Sequence, residues 1–206
     1  MKKKGYFITF EGIDGSGKTT QLKLTAKFLK GEGYDVEVLR EPGSTPLSER
    51  IRGILLDKRL HINPVSELLL YVAARAELVE NVILPALKNG KVIICDRFYD
   101  STIAYQGYGR KLDIPLVNQI NRMAVGSCKP NLTFVVDLPY AESLKRRKKI
   151  SDRLELEAKP FFNRVRRGFL EIAIFERRRM VVLDGKKEPD KIFLEIKECL
   201  KKKLKI

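Results

Sequence analysis

The chain has 206 residues, 44% of them hydrophobic, and a formal net charge of +15. That suits one domain with a sizeable core, excludes a disordered chain, and leaves no run near the ~20 apolar residues of a membrane span. The charge calls for nucleic acid or small anions as partners, but the basic runs lack the interleaved aromatics of a base-stacking platform.

The apolar residues at 5–10 follow Met1-Lys2-Lys3-Lys4 and are closed at once by Glu11, which reads as a buried strand rather than a signal peptide. Residues 19–29 have helical spacing and stop at Gly31 and Gly33. A second strand is expected at 36–39, ended by Glu41-Pro42-Gly43. Helices are expected at 47–56 and, with Pro64 near its start, at 67–87. A third strand falls at 92–95, a helix at 114–125 and a fourth strand at 132–138. A basic helix at 141–149, a helix at 160–179, a last strand at 180–183 and an amphipathic helix at 192–204 complete the chain. Strands alternating with helices predict one α/β domain with a parallel sheet.

Cys95, Cys128 and Cys199 are odd in number and far apart, which reads as reduced thiols in a cytosolic protein. His61 falls in a loop beside Asn63 and Pro64, and no metal or catalytic role is expected of it.

Gly12-Ile13-Asp14-Gly15-Ser16-Gly17-Lys18-Thr19 fits G-x-x-x-x-G-K-[ST] between a predicted strand and a predicted helix. The glycines let backbone N–H groups converge on phosphate oxygens, and the helix adds its positive end. Gly12, Ile13, Asp14, Gly15, Ser16, Gly17, Lys18, Thr19 and Thr20 are therefore expected to hold ATP. Lys18 would face the β- and γ-phosphates, and Thr19 would ligate Mg²⁺. Asp96 ends an apolar strand, where a P-loop enzyme keeps an acid toward the metal; an N-cap on the next helix is the alternative. No N-K-x-D segment of a GTPase is present.

The remaining motifs are FEGIDGSGKTT at 10–20, REPG at 40–43, ELLLYVAARAELVE at 67–80, DRFYDSTIAYQG at 96–107, PNLTFVVDL at 130–138 and DRLE at 152–155. With them the chain resembles thymidylate kinase along nearly its whole length. The resemblance implies a P-loop nucleoside monophosphate kinase-like α/β fold, with a parallel five-stranded sheet flanked by helices. It implies one kinase domain over 1–206 with a lid at about 141–158. The implied reaction is ATP plus dTMP giving ADP plus dTDP, with Mg²⁺, in a cytoplasmic homodimer.

The resemblance also implies roles. Arg75 donates to a thymine carbonyl, Gln106 reads the same base edge, and Tyr71, one helical turn before Arg75, stacks on the base. Arg97 and Arg52 clamp the monophosphate, for which the guanidinium fork is suited. Asp14 approaches the 3′-hydroxyl, while Ser101, Thr102 and Tyr105 line the sugar and base side, Tyr105 favouring deoxyribose. Some members carry an arginine inside the P-loop. Gly15 stands there in this chain, which resembles the other subgroup, where the lid supplies the charge. Arg147 and Arg153 are the expected catalytic lid arginines beside Lys18 and Arg97, with Arg146 behind them, in the run Lys145-Arg146-Arg147-Lys148-Lys149 before Asp152. An arginine introduced at Gly15 is expected to restore part of a lid variant's rate. Two rivals remain from sequence: another nucleotide or nucleoside kinase, and a non-catalytic nucleotide-binding protein. Arg75 and Gln106 argue against the first. Lys18, Thr19, Asp96 and Arg97 argue against the second.

Overall fold

A computed structural model describes residues 5–147 and 152–204. Five strands, β1 (Tyr6–Glu11), β2 (Val36–Arg40), β3 (Val92–Asp96), β4 (Leu132–Asp137) and β5 (Met180–Asp184), form one parallel sheet in the order β2-β3-β1-β4-β5. All five predicted strands are present within a residue or two of their expected ends.

Both faces of the sheet are buried, which explains why the central strands read as continuous apolar runs. On β1, Phe7 faces one core while Ile8 and Phe10 face the other. The second core is closed by helices α1 (Lys18–Gly31) and α9 (Pro189–Leu204), through Leu22, Leu29, Ile192, Ile196 and Leu200. The first packs under α3 (Pro64–Leu78), α6 (Ile114–Val125) and α8 (Lys159–Phe175). Helix α2 (Pro46–Leu56) lies against α3.

Local chemistry sets the helix starts. Thr45 accepts from the Ser48 amide, Asn63 from Ser66 and Asp113 from Leu116, each followed by a proline in the first turn. Some expected helices change. The long helix is α3 continued through a π-helical turn, Val79–Ile83, into α4 (Leu84–Lys88). The helix expected at 160–179 ends at Phe175, and residues 176–179 turn into β5. Between β3 and α6 the chain is helical as well: α5 (Tyr99–Thr102) runs into a π-helical stretch, Ile103–Gly109. The basic helix is α7 (Tyr140–Arg146); Lys148 and Lys149 of the expected 141–149 helix lie outside the described residues.

The connection leaving β1 runs to β2 at one edge, whereas that leaving its neighbour β3 runs to β4 on the other side, so the strand order reverses between β1 and β3 at their carboxyl ends. Open α/β sheets form their ligand crevices at such a point.

Candidate active site

The P-loop leaves β1 and enters α1 at Lys18. Gly12 has φ +135°, and a Cβ there would lie 2.5 Å from the Val136 carbonyl oxygen, so only glycine fits. Lys18 is buried; its Nζ donates to the Ile13 carbonyl at 3.1 Å and lies 3.7 Å from the Asp14 carboxylate. Burial, with Arg97 adding to it, pushes the Lys18 pKa down. The Thr19 hydroxyl donates to Asp96 Oδ2 at 3.0 Å. Residues 14–21 line one wall of a cavity of about 560 Å³, with Arg146, Lys186 and Lys187 also lining it.

A second, narrow cavity of about 90 Å³ opens beside it. Asp14, Arg52, Tyr71, Arg75, Arg97, Ser101, Thr102, Tyr105 and Gln106 all line it, so the nine residues expected to hold the acceptor are brought together. Asp14 also lines the P-loop cavity and joins the two.

Several elements converge on this cavity. Arg97 follows β3 in a left-handed conformation, φ +72°, a costly geometry for a residue with a side chain. It turns the guanidinium back to the P-loop. There it donates to the Gly12 carbonyl (2.9 Å), Asp14 Oδ1 (2.6 Å), Ser101 Oγ (3.1 Å) and the Tyr105 hydroxyl (3.2 Å). Burial raises the Asp14 pKa, but the Arg97 and Lys18 charges outweigh it and hold the carboxyl below the usual carboxylate range. Arg52 donates to the Pro42 carbonyl at 2.8 Å. Arg75, 1% exposed, donates to Glu41 (2.8 Å) and Asn121 (2.8 Å) and lies over the Phe98 ring. Burial carries the Glu41 carboxyl up to about 7 against the pull of Arg75. Glu41 Oε1 and Thr102 Oγ1 are buried with no hydrogen-bond partner, and both residues line this cavity. Such atoms mark a place where a polar ligand belongs.

The three lid arginines go to three places. Arg146 lines the P-loop cavity. Arg147 stacks over Tyr140 and Phe162, and its Nε donates to the Asp14 carbonyl at 3.1 Å. Its Nη1 is buried without a partner. Arg153 is on the acceptor side instead, donating to the Leu55 carbonyl (3.1 Å) and to Glu67 (2.5 Å). In this conformation it does not line the P-loop cavity, and the buried Glu67 carboxylate holds it. Gly15 has φ +80°, and a Cβ there would lie 2.7 Å from the Ser143 carbonyl oxygen. The expected rescue by an arginine at Gly15 is therefore not accommodated while α7 rests on the P-loop.

The comparisons with known proteins bear on this geometry. The family model described as thymidylate kinase matches residues 10–196. The chain belongs to the thymidylate kinase family. A thymidylate kinase of Thermoanaerobacter sp. (strain X514) is 46% identical over 202 residues, 98% of this chain and 100% of the relative. One from Prosthecochloris aestuarii is 48% identical over 205 residues, 94% of this chain and 92% of the relative. The crystal structure of thymidylate kinase from Ehrlichia chaffeensis superposes with a TM-score of 0.80 at 39% identity, covering 96% of this chain and 99% of that one.

Beside the residues expected from the thymidylate kinase resemblance, the site contains carboxylates that sequence reasoning passed over. Glu11, at the end of β1, accepts from the Phe98 amide (2.7 Å) and the Ser101 hydroxyl (2.5 Å). Burial, with the Asp100 charge adding to it, raises its pKa. Glu41 belongs to REPG but was given no role; it is the buried partner of Arg75. Glu67 lies one turn before Tyr71, which lies one turn before Arg75, so all three share a face of α3. A charged residue at i−4 on a face already assigned to the ligand was the signal available for Glu67. For Glu11 and Asn121, no local signal distinguishes them from solvated polar residues.

Proposed function

We propose that this chain transfers the γ-phosphate of ATP to the phosphate of dTMP, releasing ADP and dTDP, through the residues that surround its two joined cavities. One observation carries the assignment of the site: the nine residues expected to bind the acceptor line one cavity, which meets the P-loop cavity at Asp14.

The acceptor oxygen is already anionic, so no strong base is needed, and catalysis comes from alignment and neutralisation of charge. An oxygen of the dTMP phosphate forms a bond to the γ-phosphorus as the β–γ bridging bond breaks, leaving its electrons on ADP. Lys18 and the P-loop amides hold the triphosphate. Arg97 and Arg52 orient the acceptor phosphate, Arg97 being released from Asp14 as it does so. Arg75 and Gln106 read the base, Tyr71 stacks on it, and Ser101, Thr102 and Tyr105 bound the sugar, with Asp14 toward the 3′-hydroxyl. Arg147, beside the Asp14 carbonyl, is the lid charge nearest the meeting point, and Arg146 supports it from the P-loop cavity.

Thr19 and Asp96 fit a Mg²⁺ site. Their oxygens already lie 3.0 Å apart at the P-loop, and Mg²⁺ is content with one or two protein oxygens plus water and phosphate. When bound, the ion would neutralise charge on the triphosphate.

We also assign a homodimer, a cytoplasmic location, and a lid at about 141–158 on one kinase domain. For the dimer, α3 and α6 pack together and leave Val65, Leu69, Leu116 and Met123 exposed, an apolar surface suited to a second copy. Among the described residues, no helix is long and apolar enough to cross a membrane.

The test is ADP release over a panel of monophosphates. dTMP should be used best, well ahead of dCMP, AMP and GMP. Preference for AMP or dCMP would overturn the assignment.

A further inference from the structure

Glu67 is fully buried and accepts four hydrogen bonds from three side chains. Its Oε1 accepts from Gln106 Nε2 at 2.9 Å and Arg110 Nε at 3.1 Å. Its Oε2 accepts from Arg110 Nη2 at 3.1 Å and Arg153 Nη2 at 2.5 Å. Burial pushes its pKa up, but hydrogen bonds from Arg110 and Gln106, with the Arg110 charge, carry it below the ordinary value. An ionised carboxylate can only accept hydrogen bonds.

That settles which way the Gln106 amide points. Oxygen and nitrogen of an amide are normally told apart only through their partners. Here one partner is an anion, so the nitrogen must face Glu67. A flipped amide would set its carbonyl oxygen against a carboxylate oxygen at hydrogen-bond distance, with no proton between them. Gln106 is 1% exposed and lines the acceptor cavity, so the acceptor it turns away from Glu67 toward a ligand there is Oε1, while Nε2 keeps one further N–H.

We propose that Glu67 is a positioning residue that sets the pyrimidine choice by locking the Gln106 amide with its carbonyl oxygen toward the base. Thymine carries a proton on its N3 and can donate to that oxygen. Cytosine has a lone pair on N3 and would meet it acceptor to acceptor, an unpaired contact in a buried site. The inference rests on the reading that Gln106 faces the base. It adds that a residue with no contact to the base decides what Gln106 offers it. The two arginines keep Glu67 charged and therefore keep the lock closed.

The experiment measures kcat/KM for dTMP and dCMP, and the dissociation constant of each, for the parent and for Glu67→Gln, Glu67→Asp, Gln106→Ala and Glu67→Gln/Gln106→Ala. A glutamine at 67 can donate as well as accept, which frees the Gln106 amide to turn. The dTMP-over-dCMP ratio should fall roughly tenfold or more, by loss of dTMP activity with dCMP unchanged or improved. Glu67→Asp keeps the charge for Arg110 and Arg153 but retracts from Gln106, and it should lower the ratio in the same direction. In the Gln106→Ala background, Glu67→Gln should change the ratio no further, because it acts through that amide. If the Glu67 variants fold and lose dTMP and dCMP activity in equal proportion, Glu67 is only structural and the proposal is overturned. It is overturned as well if neither variant folds. If Gln106→Ala itself leaves the ratio unchanged, the placement of Gln106 at the base fails. A lowered ratio in Gln106→Ala with none in the Glu67 variants refutes the lock alone.

Discussion

The two cavities that meet at Asp14 are built differently. The P-loop cavity is wide, about 560 Å³, and is walled by the glycine-rich loop and the start of α1 with the buried Lys18; Lys186 and Lys187 also line it. The acceptor cavity is narrow, about 90 Å³, and its side chains are tied to one another by ion pairs, Arg97 to Asp14 and the buried Arg75 to Glu41, with the Arg153–Glu67 pair behind its wall. A triphosphate common to many enzymes can be held by main-chain amides, which every residue supplies. One base among four has to be read by side chains whose orientation is fixed, the part proposed here for buried carboxylates. The difference predicts that changes on the P-loop side lower turnover, whereas changes on the acceptor side alter which monophosphate is used.

The largest effect is expected at the junction. Replacing Arg146, Arg147 and Arg153 together with alanine should lower kcat by roughly 10³-fold or more, the scale of an arginine finger in related chemistry. Separated, Arg147→Ala should cost the most kcat and Arg146→Ala less. Arg153→Ala should act mainly on the dTMP KM, since its partners are Leu55 and Glu67. If each single variant and the triple variant turn over within a few-fold of the parent, the lid carries no catalytic charge.

Next, Lys18→Ala should reduce kcat by about 10²- to 10³-fold while the melting temperature shows a folded protein. Near-normal turnover would remove Lys18 from the reaction.

Gln106→Ala should lower kcat/KM for dTMP by roughly ten- to a hundredfold and change ATP affinity little. Weakened ATP binding with an unchanged kcat/KM for dTMP would reverse the contrast between the cavities.

The smallest effect is in stability. Burial raises Glu41 from 4.5 to about 7. A carboxyl whose pKa is raised on folding contributes stability that is full below pH 4.5 and is lost as pH rises through 7. Glu11, raised from 4.5 to about 8, acts in the same sense between those values. Glu41→Gln should therefore flatten the fall in melting temperature between pH 4.5 and 7, by a few degrees. An identical slope in parent and variant would mean that Glu41 stays ionised against Arg75 throughout.

The strands, most helices and the P-loop were legible in the sequence because each rests on local chemistry. Apolar runs mark strands buried on both faces, caps and prolines mark helix starts, and glycines mark the loop that must approach phosphate. The motif after Asp96 was legible as a motif but not as structure: Ile103–Gly109 winds as a π-helix, whose wider turn follows from packing rather than from residue spacing. The acceptor residues could be named because they sit in family motifs. Their partners could not, because Glu11, Glu41, Glu67 and Asn121 look like ordinary polar residues until distant segments pack on them. Sequence alone thus determined the α/β fold, the phosphate loop and the thymidylate kinase resemblance, which depend on patterns a few residues long. Only the tertiary structure decided where the lid arginines go and which way Gln106 points. A buried carboxylate attracts whichever cation or amide nitrogen the fold brings within reach, and reach in three dimensions is not written in sequence spacing.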